Sequence, residues 1–578
     1  MESNMENKKI DPITFEVVRS SFDYVTKMMS QTLQRISFSP ILYDMVDFSN
    51  ALFDDEANLI GQTTNVPVHL AAMHHCVNAA VTEFEGDFNE GDVVILNDPY
   101  KGGTHNMDVT FVSPIFHNGK LAAYSCSRGH WADLGGKGVS SESPTAVHIA
   151  EEGLRIPPVK IYEGGKPVKA IIDFLRTNTR VPYFIDGDIR AHIGAINTAE
   201  KYVIELIEKY GREMVKDCMT ETLNYTERMT RAAIRALPNG TYFAEDYIDA
   251  DGINNEPIYV CVNLTIRDED VTVDFTGSSP TVDGPVNYPF AGTCSGVYWG
   301  LKFFLDPNTP ANAGMYRPIE IIAPENTVFN PKWPAPVYYG NLITSEKIAD
   351  LIWQSLEKAV PDRIVGMPYA DCNTTAFGIV DARTGLSETF CELPPGGWGG
   401  TPFGDGMNTT YSRHGNCMDF SPEQMEMLYP ILCTEREFLT DSAGPGKHRG
   451  GLSMKISWKI LKNASLCVGM GRSRSGPPGV CGGKPGAPGK VVINKGAKDE
   501  KVIGGYTENG KYEMTMIDGY QLKAGDTVTV MTQGGGGYGD PRERDMEAIK
   551  KDLINEVVTA GAVESDYGIL INEEIKNG

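Results

Sequence analysis

The sequence predicts an α+β protein of several domains, with mixed or antiparallel sheets, long packed helices and a β-rich domain near the C-terminus. The chain has 578 residues, too many for one average domain of about 150 residues. Apolar residues recur at helical spacing over residues 12–36, 188–210 and 213–237. Short alternating runs separated by glycine turns fill residues 440–541, which is typical of strands.

Taken in order, these patterns divide the chain into four predicted units. Residues 1–240 hold an α/β domain with the candidate metal site, and residues 241–438 an α+β domain with a glycine-rich segment. Residues 439–541 are β-rich, and residues 542–578 form a peripheral helix and tail. In the first unit, Asp11-Pro12 predicts a capped helix start. A second helix is predicted from Pro67 to Phe84, with His69 at its entrance.

Composition excludes several functional classes. Hydrophobic residues make up 41% and charged residues 22% of the chain, and the net charge is −24. No Lys/Arg-rich run is present, so no nucleic-acid partner is expected. No apolar run approaches ~20 residues, so no membrane span is expected. The eleven cysteines are scattered without a CxxC pair, and the N-terminus has no secretory signal, so a cytoplasmic location with reduced thiols is expected.

A β-hairpin is predicted within residues 96–136. Two apolar runs flank Asn118-Gly119, a pair that strongly favours a two-residue turn. Cross-strand partners would then have residue numbers summing to 237, so that Asp108 faces Gly129. This geometry brings His105, Asp108 and His130 to the open end of the hairpin.

Two imidazoles and a carboxylate that converge suit a divalent first-row metal such as Zn, Mn or Fe. The alternative, that His105 and His130 are ordinary polar residues at strand ends, stays open at this point. His69 is a further candidate, because a helix N-terminus lowers the pKa of a histidine and favours bound anions.

Other catalytic motifs are absent from the sequence. No GxSxG elbow, HExxH helix, Walker A loop or helix-opening GxGxxG is present, so the chain is not expected to bind ATP by itself. Cys126 lies in an apolar strand and is expected to be structural. The glycine-rich segment 394–416 is either a mobile linker or a loop at a ligand site. The second is favoured by its functional side chains, which are Trp398, Phe403, Asp405, His414 and Asn416.

Several segments together resemble the hydantoinase B/5-oxoprolinase B-type subunits. This family includes N-methylhydantoinase beta subunits and is related to the large subunits of acetone and acetophenone carboxylases. The matching segments follow one another over residues 11–541 and are DPITFEVVR, PVHLAAM, LNDPYKGGTHNMDV, SRGHWADLGG, EEGLRIPPVK, VDFTGSSP, PPGVCGG and TQGGGGYGDP. The resemblance therefore covers nearly the whole chain.

The resemblance implies a hetero-oligomer with a hydantoinase A-type subunit that binds ATP and phosphorylates a carbonyl. This chain would then complete the hydrolysis of a small cyclic amide such as N-methylhydantoin. The alternatives are carboxylation of a ketone, as in acetone and acetophenone carboxylases, and a non-enzymatic assembly subunit with a structural metal.

The resemblance also implies a set of site residues. A divalent metal would be held by Asp47, His105, Asp108 and His130, of which Asp47 is indicated by the resemblance alone. Apart from the resemblance, the mechanism expected at such a site needs a group that moves a proton, and His69 and Asp133 are the candidates. The chain departs from the family at Trp131, because many members have a second histidine there, which leaves His130 as the only imidazole at that point.

Overall fold

The computed structural model describes residues 10–63, 65–369, 372–380 and 387–570. The helices in these ranges are α1 Pro12–Ile36, α2 Pro40–Tyr43, α3 Ala72–Glu83, α4 Lys169–Thr177, α5 Pro182–Tyr210, α6 Arg212–Arg235, α7 Phe290–Lys302, α8 Ala313–Tyr316, α9 Thr344–Leu356, α10 Pro422–Leu428, α11 Met546–Ile554 and α12 Ala560–Ala562. Within the described ranges, no helix combines the length and apolar character needed to cross a bilayer.

The strands form four sheets. They are β1 Phe48–Asp54, β2 Leu59–Gln62, β3 Val93–Leu96, β4 Asp108–His117, β5 Lys120–His130, β6 Val159–Glu163, β7 Lys166–Pro167, β8 Gly240–Ile248, β9 Ile258–Arg267, β10 Asp270–Asp274, β11 Ile319–Ile322, β12 Thr374–Val380, β13 Ser387–Glu392, β14 Ile431–Phe438, β15 Met454–Ile460, β16 Ala464–Gly469, β17 Lys490–Ile493, β18 Lys501–Tyr506, β19 Tyr512–Glu513, β20 Met516–Leu522 and β21 Thr527–Met531.

The first sheet has seven antiparallel strands in the order β2-β1-β5-β4-β3-β6-β7. Its two faces are both covered, because alternate residues of a strand point to opposite sides. Leu52 of β1 packs with α1, α5 and α6 in one apolar cluster. Its neighbours Ala51 and Phe53 pack with α3 in another cluster, which also contains Cys126. The expected structural place of Cys126 is confirmed by this packing.

Helix α1 begins as the sequence predicts. The Asp11 side chain accepts a hydrogen bond from the Thr14 backbone N–H at 2.9 Å, and Pro12 occupies the first turn. The buried stripe Val18, Phe22, Val25, Met29 and Leu33 faces α5 and the first sheet. Burial of this face, more than intrinsic helix propensity, stabilises a helix of this kind.

The other three sheets complete the α+β architecture, which confirms the predicted fold class. One has the order β11-β10-β9-β8 with a single parallel pair, β10 and β11. Another has the order β13-β12-β16-β20, and the last the order β14-β15-β21-β17-β18-β19. The β13-β12-β16-β20 sheet joins strands from both sides of the predicted boundary between residues 438 and 439, so these two segments share one sheet.

The glycine-rich segments pack backbone against backbone in the C-terminal half. The N–H of Gly400 donates to Gly536 O at 2.8 Å, and the N–H of Gly444 donates to Gly535 O at 2.8 Å. A Cβ on Gly535 would lie 2.0 Å from Trp398 O. Glycine is therefore required there, because the backbone segments approach each other closely. Part of segment 394–416 belongs to this layer of packed backbone.

Candidate metal centre

Asp108 and His130 lie directly opposite each other across β4 and β5. Next to the turn, Phe116 pairs with Leu121, as predicted. Ala122 is then an extra residue on β5, so Ile115 pairs with Ala123 and all later pairs are displaced by one. The predicted pairing of Asp108 with Gly129 is wrong because of this β-bulge, a one-residue insertion that the turn signal does not reveal.

Three strand ends form a row at this edge of the first sheet. Phe48 of β1 pairs with Gly129 of β5, so Asp47 lies next to His130. The His130 N–H also donates to Asp47 O at 3.1 Å. His130 Nδ1 is 3.8 Å from Asp47 Oδ2 and 3.8 Å from Asp108 Oδ1. The neighbouring strands thus bring Asp47, His130 and Asp108 together, although they are far apart in the sequence.

His105 completes the cluster from the loop before β4. Its Nδ1 is 3.2 Å from Asp108 Oδ2, and its ring centroid is 5.1 Å from that of His130. Potential ligand atoms of His105, Asp108 and His130 all lie within 4.8 Å of one another. The three residues that the hairpin argument grouped are therefore adjacent in space.

His69 lies next to the same carboxylate oxygen of Asp108 as His105 does. Its Nε2 is 3.2 Å from Asp108 Oδ2, and its Nδ1 is 3.1 Å from Ser49 Oγ. The Thr104 hydroxyl also donates to Asp108 Oδ2. Asp108 Oδ2 thus lies next to His69, His105 and Thr104. Asp108 Oδ1 has no hydrogen-bond partner among the described residues.

The predicted continuous helix from Pro67 to Phe84 is wrong. A 3₁₀ turn, Pro67–His69, is separated from α3 by non-helical backbone at Leu70 and Ala71. Tertiary hydrogen bonds override the helical pattern here: the N–H of Val68 donates to His414 O at 3.0 Å, and Ser295 Oγ donates to Val68 O at 2.6 Å. His69 therefore reaches Asp108 from a short turn and not from the N-terminus of a helix.

Burial and mutual charge set the protonation states in this cluster. Burial lowers the pKa of His69, and burial together with His105 lowers that of His130 to about 3. Burial alone would raise the pKa of Asp108, but His105 and His69 hold it well below its usual range. Burial and the Asp108 charge raise the pKa of Asp47 well above its usual range. The lowered pKa values of His69 and His130 favour their neutral imidazoles, and a neutral imidazole is the form that binds a metal.

The unused polar atoms at the centre also fit a metal. His105 Nε2 and Asp108 Oδ1 are buried and have no hydrogen-bond partner among the described residues. Buried polar groups are normally paired, so such atoms require an explanation. Two imidazoles and one or two carboxylates are the ligands that zinc and related ions prefer. The residues present therefore fit a divalent metal held by His105, Asp108 and His130, with Asp47 beside them.

The cluster lines a cavity that has both polar and apolar residues around it. The polar lining residues include Asp47, His69, His105, Asp108, His130 and Glu142. The apolar ones include Ile41, Met45, Val66, Val68, Leu342 and Leu393. Tyr338 also lines the cavity, with its ring 5.1 Å from the ring of His105. This mixed lining suits a small organic molecule with polar and apolar groups.

Two residues singled out from the sequence lie away from this cavity. Asp133 is fully buried, and its carboxylate accepts hydrogen bonds from Ser141 Oγ at 2.9 Å and from Arg180 Nη1 at 2.6 Å. A carboxylate held in this way stabilises the loop, and the proton-carrier role of Asp133 stays a prediction. Trp131 is also fully buried and packs on Phe111 of the core, because the residue after His130 points to the other face.

The cavity contains residues that the sequence argument missed. Glu142 accepts hydrogen bonds from Cys391 Sγ at 2.7 Å and from Tyr339 Oη at 3.0 Å. Burial raises its pKa despite these bonds. Cys372 and His414 lie in the same cavity wall. Of the side chains highlighted in segment 394–416, His414 is the one that lines the cavity, whereas Phe403 is 90% exposed.

The comparison with protein families gives a match over residues 11–541, to the family described as hydantoinase B/oxoprolinase. The chain belongs to this family. The resemblance inferred from the sequence motifs is thus confirmed, and the match spans all four sheets of the structure.

Individual relatives agree with this assignment. An uncharacterised protein of Methanocaldococcus jannaschii is 34% identical over 97% of this chain and 96% of its own length. The caprolactamase subunit beta of Pseudomonas jessenii is 30% identical over 97% of each chain. The 5-oxoprolinase 1 of Arabidopsis thaliana is 29% identical, but this chain spans only 42% of that protein.

Two solved structures share the fold. The ATP-dependent caprolactamase from Pseudomonas jessenii superimposes with a TM-score of 0.90 and 29% identity, covering 98% of this chain and 97% of that chain. An acetone carboxylase structure has a TM-score of 0.89 over 97% of this chain and 80% of that chain, with 19% identity. The second likeness indicates a common fold alone.

Proposed function

We propose that this chain is the metal-dependent subunit of an ATP-dependent cyclic-amide hydrolase. A separate subunit of the hydantoinase A type uses ATP to phosphorylate the carbonyl of the substrate, and this chain completes the hydrolysis. The observation that carries the proposal is the cluster of His105, Asp108 and His130, with its unpaired buried atoms, in the lining of the cavity. Relatives named for cyclic-amide hydrolysis support the reaction class.

The cavity fits a ring with a polar amide edge. Apolar lining residues such as Val68 and Leu342 accommodate ring carbons, and polar ones such as His105 and Glu142 meet the amide group. A divalent metal held at this wall would lower the pKa of water toward ~7 and polarise the reacting oxygen.

The remaining residues have separate roles in this proposal. Asp108, flanked by His69 and Thr104, orients the two ligand imidazoles. Glu142 lines the cavity, and burial raises the pKa of its carboxyl group, so in this proposal it donates the proton to the ring nitrogen when the C–N bond breaks. His69 Nε2 is 3.2 Å from Asp108 Oδ2, and its Nδ1 is 3.1 Å from Ser49 Oγ, so His69 holds the Asp108 carboxylate in place. Glu142 takes in this proposal the proton-transfer role that the sequence suggested for His69 or Asp133.

The test uses the complex of this chain with its ATP-binding partner subunit. The purified complex is incubated with ATP and N-methylhydantoin, and ADP and the ring-opened acid are measured. We expect both products in equal amounts, and we expect His105→Ala to abolish the acid. In a parallel reaction, acetophenone and bicarbonate replace the cyclic amide. Carboxylation of the ketone with no hydrolysis of cyclic amides would replace this proposal by the carboxylase alternative.

The assembly-subunit alternative is tested by the same variant. A metal with a purely structural role would be lost in His105→Ala together with the fold. We expect instead that His105→Ala keeps the circular dichroism spectrum of the wild type and still binds the partner subunit, while its metal content and its turnover fall.

A further inference from the structure

A second cluster of reactive groups lines the cavity beside the metal centre. Cys372 Sγ is 3.5 Å from His414 Nε2, and the other ring nitrogen, Nδ1, contacts Glu346 Oε1. Cys372 and His414 both line the cavity that contains Asp47, His105, Asp108 and His130. A thiol, an imidazole and a carboxylate in this order are the arrangement that activates a nucleophile in enzymes with a Cys–His pair.

Several contacts hold Glu346 and His414 in place. Glu346 is fully buried on α9, and its Oε2 accepts a hydrogen bond from Arg413 Nε at 2.5 Å. Arg413 also contacts Asp350 and lies over the Trp353 ring at 4.4 Å. The His414 backbone N–H donates to Glu346 Oε1 at 3.3 Å. The ring of His414 is therefore fixed with Nε2 directed at Cys372.

The charges agree with this geometry. Burial opposes a charged imidazole, but Cys372 and Glu346 raise the pKa of His414 to about 10. Burial also opposes a charged Glu346, but Arg413 and His414 lower its pKa to about 2. A histidine held between a carboxylate and a sulfur atom is the arrangement that stabilises a thiolate in enzymes with a Cys–His pair.

The other cysteines of the cavity have different neighbours. Cys391 Sγ donates to the Glu142 carboxylate at 2.7 Å, and Cys417 Sγ donates to Gly415 O at 3.4 Å. Burial raises the pKa of both thiols well above the usual range. The other neighbour of Cys372 is Ser412 Oγ, at 3.1 Å. Among the cavity cysteines, Cys372 thus combines access to the cavity with an imidazole partner.

We propose that Cys372 is a catalytic nucleophile, activated by His414 and Glu346, that attacks the carbonyl carbon of the substrate in the metal-lined cavity. This inference rests on the proposed function, since it assumes a carbonyl made reactive by phosphorylation on oxygen. It adds a covalent stage to the hydrolysis: the sulfur holds the acyl carbon after the phosphate has left.

The covalent sequence balances without another reagent. His414 holds the thiol proton while Cys372 Sγ forms a C–S bond with the O-phosphorylated imidate carbon, and the C–O bond breaks to release phosphate with the original carbonyl oxygen. One water adds to the resulting thioimidate, and the C–N bond breaks, which opens the ring and leaves a thioester. Glu142 supplies the proton to the departing nitrogen and takes up the proton of the added hydroxyl group. A second water cleaves the C–S bond and gives the carboxylic acid, and His414 returns its proton to the sulfur.

The first test measures thiol reactivity and needs no substrate. The full-length chain is treated with iodoacetamide at pH 6.5, where an ordinary thiol of pKa ~8.5 is about 1% ionised, and alkylation at each cysteine is followed by peptide mass spectrometry. We expect Cys372 to react on the order of tenfold faster than Cys417 in the wild type. His414→Gln should reduce the Cys372 rate to that of Cys417.

A wild-type Cys372 that reacts no faster than Cys417 overturns the proposal. This comparison is made within one molecule, so it holds even where a variant fails to fold. Glu346→Gln provides a second check, because it keeps the shape of the side chain while removing the charge that orients His414.

The second test uses the complex with the partner subunit, ATP and N-methylhydantoin. We expect Cys372→Ala to lower kcat by at least about a hundredfold, with KM and metal content nearly unchanged. Quenched wild-type reactions should show an acyl adduct on Cys372 by intact mass and peptide mapping. Cys433→Ser, on β14 outside the cavity, is the matched control and should retain wild-type turnover.

The outcomes separate this inference from the proposed function. Full turnover of the cyclic amide by Cys372→Ala would overturn the nucleophile and leave the hydrolase assignment standing. Absence of cyclic-amide turnover in the wild-type complex, together with His414-dependent alkylation of Cys372, would overturn the hydrolase assignment and retain the activated thiol.

Discussion

Asp108 Oδ1 lies 3.8 Å from His130 Nδ1 and has no hydrogen-bond partner among the described residues. Because the bulge at Ala122 places these residues opposite each other, they can bind one ion together with His105. We expect His105→Ala and His130→Ala each to weaken metal binding by more than about tenfold. The metal content of each variant after dialysis, measured by inductively coupled plasma mass spectrometry, checks this expectation.

The matched control for these variants lies on the same hairpin. His117 is at the opposite end, next to the Asn118-Gly119 turn, and is partly exposed. We expect His117→Ala to keep the wild-type metal content. If His105→Ala retained both its metal and its turnover, the assignment of this site would be wrong.

Glu142 and Asp133 provide a second pair of variants. Glu142 lines the cavity and its burial raises its pKa, whereas Asp133 is bound to Arg180 and Ser141 outside it. We expect Glu142→Gln to lower kcat by about 10²–10⁴-fold, the usual contribution of a general acid, with unchanged metal content. Asp133→Asn should instead lower the melting temperature while the folded fraction keeps its turnover. The reverse pattern would return the acid role to Asp133.

The sequence predicted the local elements well and the long-range relationships only in part. Helix α1 and the hairpin turn at Asn118-Gly119 are fixed by short-range capping and turn chemistry, so their signals lie in a few adjacent residues. The bulge at Ala122 has no such signal, because the turn residues do not determine the strand register beyond it. The break at Leu70 lies next to the hydrogen bonds that Val68 makes with His414 and Ser295, which are distant in sequence.

The candidate site shows the same limit. His105, Asp108 and His130 could be grouped because one hairpin connects them. Cys372, His414 and Glu346 come from three separate segments, and nothing in their spacing relates them. Glu346 is one of several polar residues on α9, such as Lys347 and Asp350, so its polarity alone predicts no site. Its role follows only from its contacts with Arg413 and His414.

The glycine layer makes a prediction about stability. A Cβ on Gly535 would lie 2.0 Å from Trp398 O, a backbone atom that cannot move aside. We therefore expect Gly535→Ala to destabilise the fold by about 3 kcal/mol or more. Gly404→Ala is the control, since a Cβ there has nothing within 4 Å. Thermal unfolding followed by circular dichroism should show a lowered midpoint for Gly535→Ala and an unchanged midpoint for Gly404→Ala. Equal midpoints for both would refute the close packing.

A buried carboxyl group behind the cavity gives a pH-dependent prediction. Glu152 Oε1 accepts hydrogen bonds from the backbone N–H groups of Val337 and Tyr338, both at 2.8 Å. Its Oε2 is buried without a partner among the described residues. Burial raises the pKa of Glu152 to about 8 against these hydrogen bonds, with a smaller contribution from Glu151. The carboxyl is therefore neutral in the folded protein near pH 7.

The sign of the effect follows from linkage. The folded pKa of Glu152 lies above the unfolded value of about 4.3, so its contribution to stability is complete below pH ~4.3 and is lost as the pH rises through about 8. Glu152→Gln stays neutral and keeps the oxygen that binds Val337 and Tyr338. Relative to the wild type, its free energy of unfolding should rise by about 1.4 kcal/mol per pH unit up to that point and then level off.

Urea unfolding of both proteins at pH 6, 7 and 8 measures this difference. Glu151→Gln is the control, because the neighbouring carboxylate is partly exposed and pairs with Lys137 at 2.7 Å. We expect no pH-dependent gain in that variant. A stability difference between Glu152→Gln and the wild type that stays constant from pH 6 to pH 8 would mean that Glu152 is already ionised in the folded protein. The backbone of Tyr338, and with it one wall of the cavity, would then be held by a charged group.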